Sequence, residues 1–385
     1  MKGHIREHRG KRGKVWHVVI DIGKDPGTGK RRQHWETIRT SKRDAQTRLR
    51  ELLTSLDVGT FVKPSRLTVA QWLEEWLHAY AEQKCSPKTI DSYRGIVRIH
   101  IVPEIGAIGL KELEPRHLEA LYASKKGKVS VRTIRYIHTL MWQALDYAVK
   151  KGVLSKNAAA LAEPPARDKK EMNVIEPQDI DRFLQVAHKT PYGVMFETLL
   201  FSGLRRGEML ALRWKDVDLA HNRAFVSRTM YKLRGKVIVG PPKTQASQRL
   251  IALPDRLVDL LERHRQIQLD QCELLGRSLK DDDLVFAHSD GTPFDPSVVS
   301  HGFGHVATKA GLKDIRLHDL RHSCATLLLK SHIHPLIVAA QLGHASVRTT
   351  LDTYSKILPG LQEEAMKSLD AYKPKQLSQK NQGDV

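Results

Sequence analysis

With 385 residues, 41% of them hydrophobic and 28% charged, the chain is long enough for two or three domains, each with its own core. No apolar run reaches the length of a membrane span, and the charged start MKGHIREHRGKRGK leads into no signal-peptide core, so a cytosolic protein with no membrane partner is expected. A formal net charge of +20 exceeds what solubility requires and points to a polyanionic partner, a basic tail for ribosome or membrane contact being the alternative.

The charge is uneven. Residues 1–50 carry 15 Lys and Arg against 5 Asp and Glu, half of the whole surplus. In the segment 1–64, Val15 to Ile22 is β-branched and aromatic, a turn-rich stretch follows at Asp25 to Gly29, and Arg31 to Ile38 can return as a second strand. Ser41 then starts a helix with Ala45, Leu49, Leu52 and Leu53 at helical spacing. A small sheet with one helix, its strands studded with cations such as Arg31 and Arg32, suits a β-ribbon laid in a DNA groove. Lys63-Pro64-Ser65 reads as a linker.

Residues 65–165 read as helix throughout. Thr68 and Gln71 form a capping-box pattern ahead of an apolar stripe of Val69, Trp72, Leu73, Trp76, Leu77 and Tyr80. Ser86-Pro87 starts a second helix, which Pro103 is expected to stop. A third spans Pro115 to Ser124, and a fourth runs from Ser130 to Lys151 with Gly152 just beyond it. The Trp residues are expected in the core rather than stacked on bases, because they fall on the apolar stripe. Lys84, Lys88, Arg94, Arg98, Lys125, Lys126, Lys128, Arg132 and Arg135 leave an exposed positive face suited to phosphate contacts.

A polar linker at Pro164 to Lys170 leads to a mixed domain over 171–372, followed by a polar tail, 373–385. Helices are expected at 177–188, 192–202, 206–212, 255–275, 296–310, 318–331 and 335–342, and strands at 223–229, 236–239 and 248–253. The fold class is therefore multidomain α+β: a basic sheet with one helix, an all-helical module, and a mainly helical third domain with a small antiparallel sheet. Cys85, Cys272 and Cys324 are too scattered for a zinc knuckle or disulfide framework, and the His pair of HGFGH (301–305) lacks a third ligand, so no metal is expected.

The chemistry gathers late in the chain. His318 and Arg321 stand three apart at the start of an apolar-periodic helix, so they share a face; His344 follows, and Tyr354 comes ten residues later. A cation, imidazoles and a phenol suit the handling of a phosphodiester. Three patches carry a resemblance: Phe201 to Trp214 (FSGLRRGEMLALRW), Pro242 to Arg249 with Leu250 to Leu253, and His318 to Tyr354. In order and spacing they resemble the active-site boxes of the tyrosine recombinases, and the gap from His344 to Tyr354 suits the integrases of Gram-positive phages and conjugative transposons.

That resemblance implies a site-specific DNA recombinase. Tyr354 would be the nucleophile, forming a 3′-phosphotyrosyl bond, with Arg205 and Arg321 binding the non-bridging oxygens. Two guanidinium forks stay charged at any relevant pH and ease ionisation of a phenol whose ordinary pKa is about 10. Lys243, read between the strands at 236–239 and 248–253 at the tip of a hairpin, would protonate the leaving 5′-oxygen. His318 resembles the acid/base histidine and His344 the group that bonds the scissile phosphate. Glu208 would support these bonds, with an ordinary helix-surface Glu as the bland alternative. Arg206 is taken as a surface or DNA-backbone residue, and Tyr231 as a competing phenol on a strand end that lacks an LGH upstream.

The covalent intermediate keeps the energy of the broken linkage, so no cofactor is expected; the sequence holds no GxxxxGK[ST] loop. Implied partners are double-stranded DNA with core-type and arm-type attachment sites, three further copies in a homotetramer, an excisionase and a DNA-bending helper. The rivals are a type IB topoisomerase, disfavoured by the basic N-terminal module, and a non-catalytic DNA-binding regulator, disfavoured because all six candidate positions hold competent residues.

Overall fold

Alternation of buried and exposed side chains builds the first module. The computed structural model describes residues 3–10, 13–24, 29–58, 67–167, 173–242, 247–344, 346–354 and 366–367. The chain divides into two compact units, Met1–Lys169 and Lys170–Val385.

In the first unit, β1 (Gly3–Gly10), β2 (Gly13–Lys24) and β3 (Arg31–Ile38) form an antiparallel sheet in that order. Strand β1 was not expected. Its sequence is polar, with three charged residues and two histidines in eight, but it pairs along its whole length with β2, from Gly3↔Ile20 to Gly10↔Gly13. Helix α1 (Lys42–Asp57) starts at a full capping box between Ser41 and Asp44, and a core of Val18, Ile20, Ala45 and Leu52 joins it to the sheet.

The helical module starts with α2 (Val69–Trp76), capped by Thr68 and Gln71, which runs through a π turn at Leu77–Ala81 into α3 (Glu82–Lys84). Helix α4 (Pro87–Ile96), capped by Ser86, runs likewise through a π turn at Val97–Ile101 into α5 (Val102–Ile105). Pro103 therefore does not stop the helix. It sits in the first turn of α5, where a missing N–H costs little, and the π turn before it absorbs the change of pattern. Then come α6 (Pro115–Lys125), α7 (Val131–Lys150) on its Ser130 cap, and α8 (Ala158–Leu161). Trp72 and Trp76 lie in the core, the Trp72 indole donating to the Ala144 carbonyl at 2.9 Å, whereas Trp142 falls off the stripe and is 42% exposed.

In the second unit, α9 (Pro177–Ala187), α10 (Gly193–Ser202) and α11 (Arg206–Leu210) precede β4 (Val217–Asp218), β5 (Arg223–Val226), β6 (Thr229–Leu233), β7 (Lys236–Gly240) and β8 (Arg249–Ala252). Helices α12 (Asp255–Leu274), α13 (Pro296–Lys309), α14 (Asp319–Lys330), α15 (Pro335–Leu342) and α16 (Val347–Tyr354) complete it. A core rich in Phe183, Phe196, Phe303, Leu257 and Phe286 binds these helices together.

Strand pairing differs from expectation. The run 223–229 splits into β5 and the start of β6, and 236–239 does not pair with 248–253. Instead β6 and β7 form a hairpin closed by Arg234 and Gly235, both at positive φ, while β8 joins β5 in a separate sheet ordered β4-β5-β8. Lys243, which follows β7 and precedes β8 in the chain, lies outside the described residues. Among the described residues no helix is long and apolar enough to cross a membrane.

Candidate active site

Two helices end on glycines, and the site is built around those ends. Helix α10 stops at Gly203 (φ +68°), where an added Cβ would lie 2.6 Å from Leu342 and 3.2 Å from the Cys324 sulfur. Helix α15 stops at Gly343 (φ +67°), where a Cβ would meet the Arg249 side chain at 2.8 Å. Both conformations are ones that glycine adopts at low cost. They leave carbonyls at the negative helix ends free of helical partners, ready for cations.

Arg321, on the first turn of α14 and 3% exposed, uses them: Nη1 donates to the Gly203 carbonyl at 2.6 Å and Nη2 to the Leu342 carbonyl at 2.5 Å. Arg205 precedes α11 and donates through Nη2 to the Gly343 carbonyl (3.2 Å) and through Nη1 to Glu208 Oε1 (2.6 Å). The two guanidiniums named from the sequence, 116 residues apart, are thus fixed against the consecutive Leu342 and Gly343 carbonyls at the end of α15.

Glu208 is no surface residue. It is 3% exposed, accepts from the Arg205 backbone N–H at 3.0 Å, and receives Arg249 Nη2 at 3.0 Å. Burial pushes its carboxyl up, but the hydrogen bond and charge of Arg249, followed by those of Arg205, outweigh that and hold it below the usual carboxylate value.

His318 sits at the N-terminal edge of α14 without capping it. Burial, with the Arg321 charge next, pulls its pKa down, which favours the neutral ring. His322 lies edge-to-face on it, ring centroids 5.0 Å apart, and is pulled down to about 4 by burial and then by His318. His344 is likewise lowered to about 4 by burial and by Arg321 and Arg205, and its Nδ1 is hydrogen-bonded to Thr350 Oγ1 at 2.8 Å. That bond ties the LGH turn to α16, whose last residue, one helical turn beyond Thr350, is Tyr354. The Tyr354 side chain, like Lys243, lies outside what the structure describes.

Three family models match the chain: the phage integrase family over residues 173–359, the SAM-like N-terminal domain of phage integrases over 68–126, and an arm DNA-binding domain over 7–56. The chain belongs to the phage integrase family. It is a tyrosine-type site-specific recombinase. Among curated relatives, an integrase of Saccharopolyspora erythraea is 24% identical over 415 residues, covering 93% of this chain and 94% of its own. The ICEBs1 integrase of Bacillus subtilis (strain 168) is 32% identical over 248 residues, 63% of this chain and 66% of its own. Among solved structures, the Tn1549 transposon integrase in complex with transposon right end DNA superposes with a TM-score of 0.68 at 19% identity, covering 79% of this chain and 99% of that one. A lambda integrase dimer bound to a COC′ core site gives 0.56 at 18%, covering 90% and 93%.

Other expected roles in this integrase-family chain change. Arg206, taken as a surface or DNA-backbone residue, is half-buried: its Nη1 donates to the Pro296 carbonyl (3.0 Å) and Ser300 Oγ (2.5 Å), tying α11 to α13. Tyr231 sits in the middle of β6, opposite Ile238, rather than on a strand end. Of the positive face in the helical module, Lys125 is buried against Glu104 at 2.7 Å, Arg94 pairs with Glu82, and Arg135 donates to the Pro165 carbonyl at 2.7 Å. Lys88 and Arg132 are exposed, as are Arg31 and Arg32 in the first module, where Arg31 also pairs with Asp21 at 2.5 Å. His301 and His305 lie on the exposed side of α13.

Arg249 is the residue that sequence reasoning passed over. It closes the second patch, yet nothing in its neighbourhood signals burial, since β8 alternates only briefly.

Proposed function

We propose that this recombinase cleaves and rejoins DNA through Tyr354, with Arg205 and Arg321 holding the scissile phosphate. The phenolic oxygen forms a bond to phosphorus while the bond from phosphorus to the 5′-oxygen breaks. The phenolic proton passes to neutral His318, and Lys243 delivers a proton to the leaving oxygen. His344 hydrogen-bonds the phosphate, and Glu208 fixes Arg205. Reversal with a 5′-hydroxyl from a second duplex yields the recombinant, and the element is integrated or excised. What carries the reading is the pair of guanidiniums braced on the carbonyls of the two glycine-ended helices, cationic groups set side by side where an anion would bind.

We assign residues 1–64 to arm-type DNA, 65–165 to core-type DNA and 171–372 to catalysis. The exposed cations Arg31, Arg32, Lys88 and Arg132 contact the phosphate backbone, and Arg94 and Arg135 do so once released from their internal partners. Four copies acting on two duplexes follow the lambda integrase, which has been solved as a tetramer bound to a Holliday junction. An excisionase, a DNA-bending helper and a cytoplasmic, prokaryotic setting complete the proposal.

The test is a nicked suicide duplex spanning the attachment junction that flanks the coding gene. Wild type should accumulate a covalent protein–DNA adduct and Tyr354→Phe none. Equal adduct from both would remove Tyr354 from the role, and no adduct from either would favour a DNA-binding regulator.

A further inference from the structure

Glu208 poses an electrostatic problem for a phosphate site. Paired with Arg205 alone, its buried carboxylate would cancel the charge that is meant to meet the DNA, because a guanidinium and a carboxylate at 2.6 Å make a neutral pair. A second cation resolves it. Arg249 Nη2 reaches Glu208 Oε2 at 3.0 Å, with the two side chains 7% and 3% exposed. The three groups together keep one net positive charge, and Arg205 is the member facing outward, its side chain 37% exposed.

Arg249 does more than neutralise. Its Nε donates to the Gln341 carbonyl at 2.9 Å, in the last turn of α15, and its Nη1 to the Ser247 carbonyl at 3.2 Å. The Gln341 carbonyl stands just before those of Leu342 and Gly343, which receive Arg321 and Arg205. Ser247 closes the connection that carries Lys243. One buried guanidinium therefore holds the carboxylate behind Arg205, the helix end beneath both phosphate arginines, and one foot of the lysine segment. The missing side chain at Gly343 makes the room it needs.

We infer that Arg249 is a positioning residue for the recombination reaction, one that never touches DNA but restores the positive charge of Arg205 and fixes its aim through Glu208 and the α15 terminus. The inference rests on the assignment of Arg205 to the scissile phosphate.

The full-length chain is tested on the nicked attachment duplex in two forms, one with an ordinary scissile phosphodiester and one with an uncharged methylphosphonate there. Arg249→Ala should form adduct about 10- to 100-fold more slowly on the phosphodiester, the range for losing one charge-assisted hydrogen bond in a buried network. Arg249→Lys should recover part of that rate, since it returns the charge but not the fork. On the methylphosphonate, which has no charge for Arg205 to meet, the Arg249→Ala deficit should largely vanish. An equal deficit on both substrates would mean a general structural defect and would overturn the inference, as would a wild-type rate for Arg249→Ala. Absence of adduct from wild type would instead count against the recombinase reading. A measurement without DNA then decides: thermal unfolding of Arg249→Ala, Glu208→Gln and the double variant should be strongly non-additive, and additive losses would sever the link between the two residues. Should Arg249→Ala fail to fold, Arg249→Lys and Arg249→Gln carry the comparison.

Discussion

Replacing Gly343 with alanine should damage the second unit severely, for reasons the geometry makes countable. At φ +67° an L side chain costs about 1–2 kcal/mol. The new Cβ would stand 2.8 Å from Arg249 Cδ and Nη1 and 2.9 Å from Cζ, closer than carbon atoms approach. Arg249 cannot swing away cheaply, because Gln341, Ser247 and Glu208 hold its guanidinium. Breaking one such charge-assisted bond costs about 1.5–3 kcal/mol. Together the loss is about 2.5–5 kcal/mol, or a fall in Tm of roughly 5–20 °C for a unit of this size. Urea unfolding followed by Trp214, the one tryptophan after residue 170, reports on this unit. The decisive comparison is Gly343→Ala in the Arg249→Ala background: with no guanidinium to strike, the alanine should cost only its backbone share, about 1–2 kcal/mol. If Gly343→Ala is equally costly with and without Arg249, or loses less than about 1 kcal/mol in wild type, the close approach described here is wrong.

Acid should weaken the same unit. His322 and His344 are neutral in the native fold down to about 4, against an ordinary value of 6.5, so the unfolded chain takes up protons first. Their contribution is complete above 6.5 and is lost as pH falls from 6.5 towards 4. The urea midpoint should drop across that window, and His322→Gln should flatten the drop; an identical pH profile for the variant would contradict this. Gly207→Ala should also be costly, since its Cβ would lie 2.5 Å from the Met230 carbonyl and 2.6 Å from Thr229 Oγ1, forcing α11 off β6. Overpacking of this kind costs about 1–3 kcal/mol, and because α11 carries Glu208, adduct formation should fall with stability; a variant that is both stable and active would refute the contact.

Local signals proved readable where the physics is local. The caps at Ser41, Thr68, Ser86 and Ser130 each accept the backbone N–H three residues on, which a short polar side chain before an apolar run announces. The helices expected at 192–202 and 335–342 end where the structure does end them, although the left-handed glycines Gly203 and Gly343 that stop them were not singled out. Pairing between strands was not legible, because it depends on partners elsewhere: β1 exists through its ladder with β2 rather than through its own propensity, and β7 turns back on β6 because Arg234-Gly235 makes a tight turn. The roles of Arg206 and Arg249 escaped for a related reason. An arginine tied down inside the fold looks like an exposed one until the carbonyls and carboxylate around it are known, and those come from α13, α15 and α11.

The two π turns of the helical module amount to stored phase. Each α-helical residue turns the chain by about 100° and advances it 1.5 Å, so a helix that takes in one extra residue through a wide turn moves everything beyond it by that angle. Leu77–Ala81 lets Trp76 and Tyr80 stack with ring centroids 6.1 Å apart and sends Tyr80 on to Tyr147 at 4.7 Å. Deleting one residue there would leave a regular helix with its outer end rotated away from those partners. The second π turn does the same service ahead of Pro103. Changes of length in this module therefore act as rotations, redirecting the side chains at the far ends of α3 and α5 while the buried halves of α2 and α4 stay where they are.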